Sequence, residues 1–218
     1  MGTVIRLNDY THMVREKRRI MYEELVSRLE EHPANKYVVR EAESLADEVL
    51  SIYGFENKSA PTPIISIAKE FGFQTVKADD IPEDISGNIF VGGATEKYYK
   101  NDHVIIVDAK EPLAHQRFII AHELAHYLMD YIGNRKYEDG KYTFSKTYPK
   151  VNHDSFDEIR ADRFAAEILM PKLIFVKEYI KAMQKSDYNK EYVIPYLATL
   201  FNTKESCIIR RIQEVMEG

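Results

Sequence analysis

The segment HELAH, residues 122 to 126, places two histidines four positions apart, with a glutamate directly after the first. Side chains four positions apart lie on one face of an α-helix, separated by a rise of roughly 6 Å, so the two imidazoles can bind one metal ion. Glu123 lies about 100° round the helix from His122, close to a water molecule that such an ion would hold. The pattern predicts that His122 and His126 bind zinc (Zn2+) and that Glu123 is a general base.

Neither chance nor ordinary packing explains this segment well. A chain of this composition contains an HExxH pattern at random with a probability of roughly 0.02. A single histidine on an apolar helix is usually a core residue, but here two histidines and a carboxylate follow the apolar run from Phe118 to Ala121. Burying these three groups without a cation would be costly, so metal binding is the favoured interpretation.

A catalytic zinc site takes three protein ligands and leaves one position for water, so a third ligand is needed. The segment FDEIRADRFAAEILMP predicts a second helix on which Glu158 shares a face with apolar residues. Its inward-facing carboxylate is the predicted third ligand, and Asp162, one turn later, is predicted to accept the free ring N–H of a ligating histidine. Two alternatives stay open: Asp154 or Asp157 is the ligand, or Glu158 only caps its helix.

Helices around a small sheet are predicted to position these residues. The runs FQTVKA, GNIFVGG and HVIIVD are rich in β-branched and aromatic residues and predict three strands, from residues 73, 87 and 103. Helices are predicted over residues 12–31, 39–53, a short segment from 62, 113–131, 155–170 and 173–183, followed by two short helices around 202–203 with a helix-turn-helix outline. Asp139-Gly140 predicts a hairpin turn, and the rest of residues 132 to 155 is predicted to be polar loop. The fold class is α+β.

Composition and charge give no reason to expect a membrane or nucleic-acid partner. The net charge is -5 and the pI is near 5.9, and Lys204, Arg210 and Arg211 are few basic residues for a DNA-reading helix. The amino terminus has no apolar core of signal-peptide length, and no apolar run approaches membrane-spanning length. The single cysteine, Cys207, fits a reducing compartment. A cytoplasmic protein is expected.

The motifs RFIIAHELAHYLMD and EIRADRFAAEILMP, in this order, resemble the ImmA/IrrE family of zinc metallopeptidases. The resemblance covers roughly residues 38 to 185 and implies a compact, zincin-like α+β core over residues 37–185. Residues 1–36 are then a helical extension, and residues 186–218 are a carboxy-terminal helical pair. The family often has a histidine where this chain has Asp130, which leaves the role of that position open.

By resemblance, the expected activity is cleavage of a specific helix-turn-helix repressor that controls a mobile element or a stress response. Tyr137, Tyr148 and His153 are candidate donors to the oxyanion of the reaction. The run GNIFVGG or HVIIVD, as a sheet edge beside the cleft, is expected to hold an extended substrate. The alternatives are a regulator that uses zinc only structurally and a DNA-binding regulator acting through residues 192 to 216.

Overall fold

The computed structural model describes residues 7–31, 39–55, 60–92, 95–132, 144–149, 155–187 and 189–217. The fold is α+β, as the sequence predicts. The helices are α1 Leu7–Glu30, α2 Val39–Tyr53, α3 Ile64–Glu70, α4 Glu96–Tyr99, α5 Leu113–His126, α6 Phe156–Leu169, α7 Lys172–Lys185, α8 Lys190–Phe201 and α9 Glu205–Glu217, and the strands are β1 Gln74–Ala78, β2 Ile85–Val91, β3 His103–Asp108 and β4 Phe144–Pro149. The predicted helices are confirmed, with small shifts at their ends, whereas the predicted hairpin turn at Asp139-Gly140 lies outside the described residues. None of the helices in these ranges is both long and apolar enough to cross a membrane.

The four strands form one mixed sheet in the order β1-β3-β2-β4. Strands β1 and β3 are parallel, whereas β2 is antiparallel to both of its neighbours, β3 and β4. Strands β2 and β3 therefore lie inside the sheet, and β1 and β4 are its edges in the described part of the chain. The expectation that GNIFVGG or HVIIVD forms a sheet edge is wrong.

The prediction of polar loop is also wrong for residues 145 to 149, because they belong to β4. Tyr148 is buried and Lys146 is half-buried, whereas Ser145 and Thr147, which alternate with them, are exposed. A strand whose inner side carries one aromatic ring and one ammonium group lacks the apolar alternation by which strands are recognised. Residues 144 to 149 form a strand because their backbone pairs with β2, a long-range contact that the local sequence pattern does not indicate.

The sheet lies directly on α5 because β2 carries a glycine at the contact. A Cβ atom at Gly87 would lie 2.4 Å from Cγ2 of Ile119 and 3.0 Å from the carbonyl oxygen of Ile106. Only a residue without Cβ fits this close approach. Tyr148 lies opposite Gly87 in the register of β2 and β4, so the approach also brings β4 beside the helix that carries HELAH.

Helices α5 and α6 pack against each other, and α5 also contacts β2, β3 and β4. Both helices contribute apolar side chains to the core: Leu124 of α5 and Phe164 and Ile168 of α6 are 0% exposed. Helix α2 packs against α6. The two helices that carry the predicted ligands are therefore held side by side in the core.

A buried ion pair fastens α9 to α6. The guanidinium of Arg211 pairs with the Glu167 carboxylate, and both side chains are 3% exposed. Nε of Arg211 donates to the carbonyl oxygen of Met170 at 3.2 Å, and Glu167 accepts a hydrogen bond from the backbone N–H of Lys172 at 2.7 Å. Arg211 therefore serves packing and is not a surface cation.

Candidate metal centre

Helix α5 buries the HELAH segment and brings its two imidazoles together. The exposed fraction is 0% for His122 and Glu123 and 1% for His126. The Nε2 atoms of the two histidines are 2.9 Å apart, with ring planes at 78°. The two predicted ligands thus point at one place, as their spacing requires.

Glu158 reaches the same place from the first turn of α6. Its Oε2 lies 2.9 Å from Nε2 of His122, and its Oε1 lies 3.3 Å from Nε2 of His126. One ligand atom from each of the three residues lies within 4.8 Å of the other two. This arrangement supplies two nitrogens and one carboxylate oxygen, the donor set of many catalytic zinc sites.

The alternatives to Glu158 receive no support from the described residues. The Asp157 side chain is 53% exposed and pairs with Arg160 at 2.5 Å, and it is not among the described residues whose ligand atoms converge. Helix capping is carried out by Ser155, whose hydroxyl accepts the backbone N–H of Glu158 at 3.3 Å, so the Glu158 carboxylate is not the cap. Asp154 lies outside the described residues.

Each histidine has a carboxylate at its other ring nitrogen. Nδ1 of His122 lies 2.9 Å from Oδ1 of Asp162, and Nδ1 of His126 lies 2.6 Å from Oδ2 of Asp130. Asp130 belongs to a π-helical turn, Tyr127–Tyr131, that continues α5. Carboxylates at this position fix the tautomer and the orientation of ligating imidazoles.

These contacts make the centre rich in acceptors. The carboxylate of Asp162 at Nδ1 of His122 favours a proton on that nitrogen, which leaves the lone pair of Nε2 of His122 facing the Glu158 carboxylate. Such a cluster is stabilised by positive charge, which protons on the imidazoles, a neighbouring ammonium group or a metal ion can supply. With protons only, hydrogen bonds to Asp162 and Glu158 outweigh burial and raise the pKa of His122 to about 9. Divalent metal binding satisfies the same acceptors, so the residues fit zinc.

Glu123 lies beside this cluster without taking part in it. Among the described residues, none donates a hydrogen bond to either oxygen of its carboxylate, although both oxygens are buried. Burial raises the pKa of Glu123 to about 7, against the lowering effect of the two histidines. A buried carboxylate with a pKa near neutrality is suited to accept and return a proton.

Lys146 is a site residue that the sequence gives no means to find, because β4 is not recognisable from its pattern. Its Nζ lies 2.9 Å from Nδ1 of His126, 3.0 Å from Oε1 of Glu158 and 3.3 Å from Oδ2 of Asp130. Arg160 donates to the other oxygen of Asp130 at 3.0 Å. Two cations thus surround the carboxylates on the His126 side of the centre.

Tyr148 is the one candidate oxyanion donor that the described residues include, since Tyr137 and His153 lie outside them. Its ring stands edge-on to His122, with ring centroids 4.6 Å apart and planes at 88°. Burial raises the pKa of its hydroxyl above the ordinary value of 10.0, so the hydroxyl remains a donor at neutral pH. His115 also contacts this ring, with ring centroids 5.9 Å apart, and its Nδ1 lies 2.7 Å from Oε2 of Glu111.

An HExxH helix, a carboxylate from a following helix and a mixed sheet packed on the first helix define a zincin-like metallopeptidase domain. The chain belongs to the peptidase family described as IrrE N-terminal-like domain, whose model matches residues 68–213. No curated protein matches the chain. The matched range begins in α3 and ends in α9, and it includes every residue of the centre described above. The division of the chain at residues 36 and 185 stays a prediction.

Proposed function

We propose that the protein is a zinc-dependent peptidase in which His122, His126 and Glu158 hold the ion and Glu123 is the general base. The buried carboxylate of Glu123, which has no hydrogen-bond donor among the described residues, carries this proposal. A site that binds metal only for structure has no need of such a group. Bound zinc would supply a water of lowered pKa and polarise the scissile carbonyl group.

The protein's own residues account for the proton transfers. Glu123 accepts a proton from the attacking water and later delivers it to the leaving amine, which requires a carboxyl pKa near neutrality. The hydroxyl of Tyr148 is the proposed donor to the oxyanion, because its ring packs against His122 at the edge of the centre. Asp130 and Asp162 keep the two Nε2 atoms directed at the ion.

Edge strand β4 is the proposed binding site for the substrate backbone. It lies at one end of the sheet in the described residues, and its Lys146 and Tyr148 reach the centre from positions two apart on one strand. An extended peptide pairing with β4 would therefore pass the metal centre while hydrogen bonds hold its backbone. The cleaved segment must then be extended when it binds.

The proposed substrate is a helix-turn-helix repressor of a mobile element or a stress response, a proposal that rests on the family resemblance. Neither composition nor geometry identifies it. The test incubates the zinc-loaded protein with the repressor encoded beside its gene and maps the fragments by mass spectrometry. One discrete cut by the wild type, and none by Glu123→Gln, supports the proposal. Efficient degradation of casein without a discrete cut in the repressor contradicts it.

Two other functions are less well supported. A regulator that uses zinc only structurally leaves the burial of Glu123 unexplained. Direct DNA binding through residues 192 to 216 would need exposed basic side chains on α9. Arg211 is buried in its ion pair with Glu167, so it cannot contact DNA. Arg210 pairs with Glu214 at 3.2 Å. A duplex-binding assay over a range of salt concentrations separates this function from peptide cleavage.

A further inference from the structure

The ammonium group of Lys146 touches the carboxylate that completes the metal centre. Its Nζ lies 3.0 Å from Oε1 of Glu158, whereas the other oxygen, Oε2, lies 2.9 Å from Nε2 of His122. The Lys146 side chain is 25% exposed and the Glu158 side chain is 10% exposed, so their contact is partly shielded from water. A charge-assisted hydrogen bond in this setting constrains the carboxylate more than a surface pair does.

The number of Glu158 oxygens that bind the metal determines how many coordination positions remain for water and substrate. A carboxylate binds a metal through one oxygen or through both. A catalytic zinc site works with three protein ligand atoms and an open fourth position. If both oxygens of Glu158 bound the ion, the second would take the place that the reaction needs.

We propose that Lys146 is a positioning residue that holds Oε1 of Glu158, so that the carboxylate binds the metal through one oxygen only. The contact of Nζ with Oδ2 of Asp130, at 3.3 Å, fixes the ammonium from a second side. The β4 backbone sets the position of Lys146. Strand β4 therefore has two proposed tasks: it binds the substrate backbone, and through Lys146 it sets how Glu158 coordinates the metal. The inference rests on the proposed metallopeptidase function.

The test replaces zinc with cobalt(II), whose visible absorption is stronger in four-coordinate than in five-coordinate sites. Lys146→Met and Lys146→Gln remove the charge, and either variant suffices if the other fails to fold. Each is expected to keep one metal per chain, to show weaker cobalt bands than the wild type, and to cleave about 10- to 100-fold more slowly. Lys146→Arg retains a cation and is expected to recover most of the cobalt band intensity.

Lys77→Met is the matched control, because Lys77 is exposed on β1, the opposite edge of the sheet. It is expected to match the wild type in both cobalt spectrum and cleavage. A wild-type cobalt spectrum in folded Lys146→Met and Lys146→Gln, or loss of the metal from both, overturns the inference. These outcomes differ from failure of the proposed function, in which the wild type itself binds no metal or cuts no peptide.

Discussion

Oδ2 of Asp130 lies 2.6 Å from Nδ1 of His126, four residues earlier in the chain. The contact is made where α5 gives way to a π-helical turn, which contains Asp130. Such turns often occur at functional sites, since they redirect a side chain without ending the helix. Asp162 performs the same task for His122 from a different helix, at 2.9 Å. Both imidazoles are therefore oriented by carboxylates, although only Asp162 is predicted from the sequence.

This pairing predicts that Asp130→Asn weakens zinc binding by about 10- to 100-fold, because the amide does not stabilise the Nδ1–H of His126 as a carboxylate does. Metal-buffer titration measures the effect. The matched control is Asp157→Asn, since Asp157 shares the Arg160 side chain with Asp130 and does not contact a histidine in the described structure. Equal zinc affinities for the two variants would contradict the role assigned to Asp130.

The third ligand is tested by removing Glu158. Glu158→Ala and His122→Ala are each expected to reduce the zinc content from about one ion per chain to well below half, as measured by elemental analysis after dialysis. Asp157→Ala is expected to keep the metal, because the Asp157 side chain is 53% exposed and is not among the described residues whose ligand atoms converge. Wild-type zinc content in Glu158→Ala would indicate that Asp154 or Asp157, and not Glu158, is the third ligand.

Glu123→Gln separates metal binding from chemistry. The amide has nearly the same shape as the carboxylate but cannot accept a proton, so this variant is expected to bind zinc normally and to lose at least about 100-fold in cleavage rate. Its zinc content and thermal unfolding temperature, measured on the same preparation, show whether the loss has a structural cause. Cleavage at the wild-type rate would leave a regulator without catalysis as the better explanation.

The ligand helices are predictable from the sequence because their signals are local. HELAH determines which residues meet within one helix, and the apolar face of α6 indicates that Glu158 points inward. Lys146 is not predictable, because its position depends on β4 pairing with β2, a contact between distant segments. Tyr148 is one of three equivalent candidates in the sequence, and only the tertiary structure brings its ring to His122.

Gly87 is expected to tolerate no side chain. Gly87→Ala places a methyl group 2.4 Å from Cγ2 of Ile119, and the crowding is expected to lower the free energy of unfolding by about 1–3 kcal/mol. Urea unfolding of a double-mutant cycle with Ile119→Ala checks the cause, since the cost of Gly87→Ala is expected to be smaller when Ile119 is already shortened. Additive effects would show that the contact between β2 and α5 is not the source.

The metal-free protein is expected to lose stability as the pH rises, in part through Glu123. Burial raises the pKa of its carboxyl group from an ordinary value of 4.5 to about 7. Between these two values the folded protein keeps a proton that the unfolded chain has released, so the free energy of unfolding falls as the pH increases across this window. Glu123→Gln does not titrate, and its stability is expected to fall less. Urea unfolding at pH 5 and pH 8 in the presence of a chelator measures, for each protein, the slope of the free energy of unfolding against pH. Equal slopes for the wild type and Glu123→Gln would show that Glu123 does not titrate in this range when the metal is absent.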